Sequence, residues 1–191
     1  AVGYYAGQDL TTAAGTVSIG RDAAAQATSA EYFVAIGHYA MGTGITTGDN
    51  NVCIGKEAGE DLTSGYDNVV IGKEAGKNIT TGFDNTAVGV GALDANVGGN
   101  YNTAFGRNAL GANTASGNTA FGRECMGLNV SGTENCAVGD GALGVLLTGH
   151  YNSALGSGAL AANTASGNTA MGRSSLNSNQ GGAQNTAYGG N

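Results

Sequence analysis

The sequence has no proline and no tryptophan, and charged residues make up only 11% of its 191 positions, less than half the usual share of about 25%. Seven basic residues stand singly among fourteen acidic ones, and the net charge is −7. Because no basic patch forms, we expect no binding to nucleic acid. No apolar run approaches the length of about 20 residues that spans a bilayer, so we expect no membrane insertion.

Cysteine is also scarce, with three residues and no C-x-x-C pair. Each cysteine occupies a position that is usually small in the repeat described below. We therefore interpret Cys53, Cys125 and Cys136 as small core residues. A Cys125–Cys136 disulfide, or contact between Cys53 copies of neighbouring chains, is the alternative.

Glycine, by contrast, is abundant, and twelve of the 36 glycines recur every 16 to 18 residues. Each follows a large apolar residue and, before that, a small one. These repeat glycines are Gly3, Gly20, Gly37, Gly55, Gly72, Gly89, Gly106, Gly122, Gly139, Gly156, Gly172 and Gly189. A fixed period indicates a repeat architecture. Coils of this length are too short for helix pairs, so we predict an all-β fold: a parallel β-solenoid (β-roll) of about eleven coils, forming one domain over 1–191.

The three residues before each repeat glycine predict a short strand, because many of them are β-branched. The outer two share one face, and the small middle residue points the other way. We expect the large apolar residues and the threonine column (Thr103, Thr119, Thr169 and Thr186) inside the coil, opposite a second short strand after the glycine. The small column would then face an identical chain across a long axis. The interface candidates are Ala35, Cys53, Ala87, Ala104, Ala120, Ala137, Ala154 and Ala170.

Asparagine stands four residues before the repeat glycine in nine coils. These residues are Asn51, Asn68, Asn85, Asn102, Asn118, Asn135, Asn152, Asn168 and Asn185. Identical amides stacked one strand spacing apart can hydrogen-bond to one another. The pattern predicts a structural amide ladder.

The units Val34-Ala35-Ile36-Gly37 and Val52-Cys53-Ile54-Gly55, with the recurrent Asn-Thr-Ala-x-Gly, resemble the short repeats of YadA-type trimeric autotransporter adhesin heads. They resemble equally the repeat shafts of bacteriophage and other viral tail fibres. The resemblance covers essentially the whole chain, although the coils here are longer in the variable turn. It implies a left-handed roll assembled as a homotrimer, on a virion or an extracellular cell surface, with a cell-surface glycan or outer-membrane receptor as partner.

The sequence shows no catalytic constellation. His38 and His150 lie far apart, and neither belongs to a recognisable carboxylate–hydroxyl arrangement. No phosphate-binding glycine loop occurs. We therefore predict no enzymatic activity and no cofactor or metal. The Lys56-Glu57 and Lys73-Glu74 pairs fall one coil apart and are interpreted as a surface charge ladder.

Aromatic residues in the variable turns are the better lead to a binding function. Tyr66, Phe83, Tyr101 and Tyr151 lie five or six residues before a repeat glycine, and His150 adjoins the last of them. Aromatic faces beside polar edges suit carbohydrate recognition, so these five are the glycan-contact candidates. The alternative interpretation is that they clamp neighbouring coils or chains.

We expect a structural attachment fibre, and favour a viral tail or host-attachment fibre over a bacterial adhesin head. The long coils and a duplicated 50-residue block, in which 112–120 recurs as 162–170, are typical of a shaft. A monomeric ice-binding solenoid is the second hypothesis, although its threonines are expected inside the coil. A glycan-cleaving fibre enzyme is the third and would need two carboxylates in a groove between chains.

Overall fold

A computed structural model describes residues 1–190. Within this range the chain is all-β, without a helix, and forms eleven strands of three residues each. The strands are β1 (Val17–Ile19), β2 (Val34–Ile36), β3 (Val52–Ile54), β4 (Val69–Ile71), β5 (Thr86–Val88), β6 (Thr103–Phe105), β7 (Thr119–Phe121), β8 (Cys136–Val138), β9 (Ser153–Leu155), β10 (Thr169–Met171) and β11 (Thr186–Tyr188).

All eleven strands form a single parallel sheet in chain order. Equivalent residues of successive coils pair directly, as Ala35 does with Cys53. Val2 adds an isolated parallel bridge to Ile19. The chain is therefore a β-solenoid of about ten turns, which confirms the predicted all-β parallel solenoid. With strands about 4.8 Å apart, the ten steps from β1 to β11 span about 48 Å.

The repeat glycine is required by backbone geometry and by the coil beside it. Gly72 has a φ of +136°, a region that residues with a Cβ rarely adopt. A Cβ at Gly72 would also lie 2.5 Å from the carbonyl oxygen of Gly89. The chain therefore turns at this corner and stacks on its neighbour only where no side chain is present.

The residues after the repeat glycine form turns, so the predicted second strand is wrong. The second and fourth residues after the glycine adopt left-handed φ values, as in Glu57 (59°) and Leu93 (55°). Left-handed residues interrupt the extended backbone that a strand needs. The turns instead fold the third and fourth residues under the strand, and Ala92 and Leu93 are fully buried there.

The middle residue of each strand points into the coil, which is the reverse of the predicted orientation. Its first and third residues are half-buried or exposed. The interior is already filled by the buried residues of the turns, such as Leu93, and therefore accepts only a small residue from the strand. The residues whose predicted outward position is corrected are Ala35, Cys53, Ala87, Ala104, Ala120, Ala137, Ala154 and Ala170, all buried within one chain.

The predicted asparagine ladder is present and buried. Asn68 donates from its backbone N–H and its Nδ2 to Oδ1 of Asn51, both at 3.1 Å. Asn85 repeats both bonds to Asn68 at the same distances. Each amide also serves the next turn, since Asn68 Nδ2 donates to the Gly82 carbonyl at 2.9 Å. The ladder thus satisfies buried polar groups in successive coils.

A second set of asparagines, seven residues after the repeat glycine, was not predicted from the sequence. All of them are buried except Asn179, which is half-buried. Asn129 Nδ2 donates to Asn113 Oδ1 at 2.8 Å, and Asn179 Nδ2 donates to Asn163 Oδ1 at 3.0 Å. Leu62 and Ile79 hold this position in earlier coils and are fully buried. The column is therefore apolar in the earlier coils and hydrogen-bonded in most of the later ones, with Leu146 as a buried apolar exception.

We expect Asn85→Ala to lower the free energy of unfolding by roughly 1–3 kcal/mol, because it removes the acceptor used by Asn102 and leaves buried polar groups unpaired. Chemical denaturation of both proteins measures this. Asn177→Ala, at an exposed position, is the matched control and should change stability by less than about 0.5 kcal/mol. Equal losses for the two variants would contradict a structural role for the ladder.

Candidate functional site

The first and third residues of the eleven strands form one continuous surface, which we call the outward strand face. Apolar residues dominate it: the third position is Val, Ile, Phe, Leu, Met or Tyr in every strand. Phe121 is 41% exposed and Leu155 is 46% exposed. The Phe105 and Phe121 rings stack with centroids 5.4 Å apart. The face is therefore a regular apolar strip open to solvent in the single chain.

The size of the outward strand face makes it unusual for a monomer. Three residues at about 3.3 Å each, over a length of about 48 Å, give a strip of roughly 500 Å². Monomeric proteins rarely expose a contiguous apolar patch of more than a few hundred Å², and larger patches mark interaction sites. This strip is the strongest candidate interaction surface on the chain.

The predicted interface candidates do not lie on this surface. Ala120 and Ala137 have no exposed area, and Ala154 is 4% exposed. Their neighbours in sequence, such as Phe121 and Val138, point outward instead. The predicted strands and their alternation are correct, but the predicted inward and outward faces are reversed.

Three of the five glycan-contact candidates form one cluster. The rings of Tyr66 and Phe83 are parallel, with centroids 4.8 Å apart, and Tyr101 meets Phe83 edge to face at 5.3 Å. Tyr66 and Tyr101 are 42% and 60% exposed. The cluster lies in the turns that precede β4, β5 and β6 and therefore borders the outward strand face.

His150 and Tyr151 lie three coils further along, before β9, and do not join this cluster. Tyr151 is exposed, and its ring centroid is 6.2 Å from that of His150. His150 Nδ1 accepts the backbone N–H of Thr133 at 3.1 Å, and His150 N–H donates to Ser166 Oγ at 3.0 Å. The histidine thus links neighbouring coils through its backbone and its side chain.

The three cysteines are free, so the structure does not contain the alternative Cys125–Cys136 disulfide. Cys53 and Cys125 are buried, as expected for small core residues, and burial raises the pKa of each thiol to about 12. Cys125 donates to the Ala137 carbonyl at 3.3 Å. Cys136 is exposed on the outward strand face, and its interpretation as a core residue is wrong.

A groove of about 450 Å³ on the turn side of the coils was not anticipated. Leu128 and Val145 form its apolar walls, and Gly141 lines it without a side chain to fill the space. Asn108 and Glu124 contribute polar atoms. The available signal was the apolar residue six positions after the glycine in these two coils, where other coils have smaller or polar residues.

A compact charge cluster lies beside the predicted charge ladder. Lys77 Nζ is 2.9 Å from Glu57 Oε2 and 3.1 Å from Glu60 Oε2. Hydrogen bonds from Lys56 and Lys77 lower the pKa of Glu57 to about 2. Hydrogen bonds to the two glutamates raise the pKa of Lys77. The cluster links two successive coils electrostatically.

Within residues 1–190, no group of three or more His, Cys, Asp or Glu side chains is placed to hold a metal ion. The same residues contain no helix long and apolar enough to span a bilayer. Comparison of the chain with protein-family models, curated proteins and solved structures gave no match.

We expect Ala120→Leu to destabilise the fold by roughly 1–3 kcal/mol, because the larger side chain overpacks the coil interior. Phe121→Leu, one residue later on the outward strand face, should have a smaller effect on unfolding of the single chain. Thermal and denaturant unfolding at low protein concentration measure both. Greater destabilisation by Phe121→Leu than by Ala120→Leu under those conditions would contradict the orientation of the strands.

Proposed function

We propose that this chain is a segment of a homotrimeric attachment fibre, in which the outward strand face of each chain packs around a common axis. The observation that carries the proposal is the continuous apolar strip on that face, half-buried over β2 to β5 and exposed at the third position of the other strands. Packing this strip against other chains removes its apolar side chains from water, which favours association. The assembly therefore has a strong hydrophobic driving force.

An identical chain fits this strip better than an unrelated partner does. The side chains of the outward strand face repeat at the strand spacing of about 4.8 Å for eleven strands. A partner must offer the same spacing to fill the gaps between side chains along the whole strip. A second copy of the chain has the same spacing because it has the same fold. Closed cyclic symmetry is the usual arrangement of such copies.

The number of chains and the handedness of the coil come from the resemblance to adhesin heads and viral fibre shafts. In such an assembly the Val-x-Ile and Thr-x-Phe faces of three left-handed rolls enclose the axis. A narrow face of three residues per chain suits three strips meeting around a line. A viral tail or host-attachment fibre is the preferred setting, and a bacterial surface adhesin head is the alternative.

The aromatic cluster of Tyr66, Phe83 and Tyr101 is the proposed contact for a cell-surface glycan. Its rings are partly exposed, and the hydroxyls of Tyr66 and Tyr101 can exchange hydrogen bonds with sugar hydroxyls. Stacking of a sugar ring on an aromatic face with such polar edges is a common binding mode. Because His150 and Tyr151 lie three coils away, they would form a separate contact.

One observation favours the ice-binding alternative more than the sequence analysis did. Thr103, Thr119, Thr169 and Thr186 lie on the outward strand face, not inside the coil as predicted. However, the parallel column beside them contains the bulky Phe105, Phe121 and Met171 in place of a second row of threonines. Thermal hysteresis in solutions of the purified chain would support ice binding over assembly.

We expect the purified chain to have the mass of three copies by light scattering, and a rod-like shape by small-angle X-ray scattering. Phe121→Asp should dissociate the trimer, because it places a charge in the apolar strip. Leu147→Asp, at a similarly exposed apolar residue away from the strip, is the matched control and should leave the mass unchanged. A monomeric wild-type chain would overturn the proposal.

Glycan binding is tested separately, on an array of bacterial cell-surface polysaccharides. Tyr101→Ala should weaken binding by roughly two- to tenfold, since stacking on one ring contributes roughly 0.5–1.5 kcal/mol. Tyr32→Ala removes an exposed turn tyrosine outside the cluster and should leave binding unchanged. Equal binding by the wild type and Tyr101→Ala would exclude the cluster as the glycan site.

A further inference from the structure

The basic residues of the chain are concentrated at one position of the repeat. Six of the seven directly follow a repeat glycine, and the seventh is Lys77. We call these six residues the basic column: Arg21, Lys56, Lys73, Arg107, Arg123 and Arg173, all exposed. Each lies just past the end of a strand, so the column follows the border of the outward strand face where the strands end.

Acidic residues occupy the opposite border, where the strands begin. Five of them lie five or six residues before a repeat glycine, and no lysine or arginine occurs at those positions. We call them the acidic turn column: Glu31, Asp49, Asp67, Asp84 and Glu134. Within residues 1–190, none of the five forms an ion pair. All but Glu31 are exposed.

The two columns match when the basic residue after one strand is compared with the acidic residue before the next. The strand-to-strand matches are Arg21 with Glu31, Lys56 with Asp67, Lys73 with Asp84, and Arg123 with Glu134, and His38 stands opposite Asp49. Every member of the acidic turn column has a match in this alignment. Comparison within the same strand also matches Asp49 with Lys56 and Asp67 with Lys73, but it places Asp84 against Val90 and Glu134 against Asp140.

A single chain does not bring the matched residues together. A strand of three residues and the corner residues on each side separate the two borders by roughly 15 Å. Salt bridges require the charged atoms to lie within about 4 Å of each other. A salt bridge between the acidic turn column and the basic column therefore requires a second chain.

We propose that, in the homotrimer, each residue of the basic column contacts the residue of the acidic turn column that lies before the following strand of the next chain. This inference rests on the proposed trimer and specifies which charged residues meet across its interfaces. In a ring around an axis parallel to the stack, the strand-end border of one chain meets the strand-start border of its neighbour. Opposite charges then face each other at all three contacts.

The same charges disfavour chains that run in opposite directions. If one chain is inverted along the stack, strand starts meet strand starts, and the acidic turn columns face each other. Like charges opposed in this way cost free energy and exclude wrong partners. The apolar strip drives assembly, whereas the charged borders select the parallel arrangement and its alignment.

The basic column also has partners within its own chain, but these leave much of it available. Lys56 Nζ lies 2.8 Å from Glu57, and Lys73 Nζ lies 3.2 Å from Glu74. The two lysine side chains remain 51% and 53% exposed. Each ammonium group has three donors, so it can bridge its own glutamate and an aspartate of the neighbouring chain.

Charge reversal of each column, alone and together, tests the inference. The acid variant carries Asp67→Lys and Asp84→Lys, and the base variant carries Lys56→Glu and Lys73→Glu. Light scattering over a dilution series gives the concentration at which each trimer dissociates. We expect each reversal alone to raise that concentration at least about tenfold in 10 mM salt, and the fourfold variant to return to within about threefold of the wild type.

Circular dichroism under the same conditions separates misfolding from lost assembly, and 1 M salt should reduce the differences by screening. A further double variant, combining Lys73→Glu with Asp67→Lys, pairs residues on either side of the same strand, and its trimer should remain weakened. The double variant Lys73→Glu and Asp84→Lys should form a trimer about as stable as the wild type. A wild-type trimer that is indifferent to the reversals, or a fourfold variant that is not restored, would overturn the charge alignment. A monomeric wild type would instead refute the trimer itself.

Discussion

Backbone hydrogen bonds between successive coils are the interaction on which the rest of this structure depends. Within residues 1–190 each strand pairs only with its neighbours in the chain, so the fold is a one-dimensional stack. Stacking at this spacing requires glycine at the corner, because any Cβ there would meet the next coil. It also brings equivalent asparagines within hydrogen-bonding distance, and the resulting ladder satisfies the polar groups inside.

The thinness of each coil connects this stacking to the proposed function. Residues such as Leu93 and Leu110 fill the interior from the turn side and leave room for only a small residue on the strand. The large residues of the strand must then point outward, where they form an apolar strip whose exposure to water is unfavourable. The proposed association with identical chains would remove this strip from water while keeping the spacing of its side chains.

The sequence was sufficient to predict the strands and the asparagine ladder because both repeat with the coil. It was not sufficient to orient the strands, since alternation separates Ala120 from Phe121 without showing which one faces inward. That choice depends on Leu93 and its equivalents, whose left-handed φ values fold them beneath the sheet. Such φ values are rare for bulky residues, and no residue type at these positions signals them. The groove beside Leu128 depends on the same turns and was missed for the same reason.

The orientation of the strands is tested most directly by thiol labelling of the dissociated chain. Thr103→Cys and Ala104→Cys are made separately, with Cys136→Ser and Phe121→Asp in both, and are treated with a bulky maleimide. The account predicts that Thr103→Cys reacts in the folded chain and that Ala104→Cys reacts only after unfolding. Rapid labelling of Ala104→Cys with protection of Thr103→Cys would contradict it.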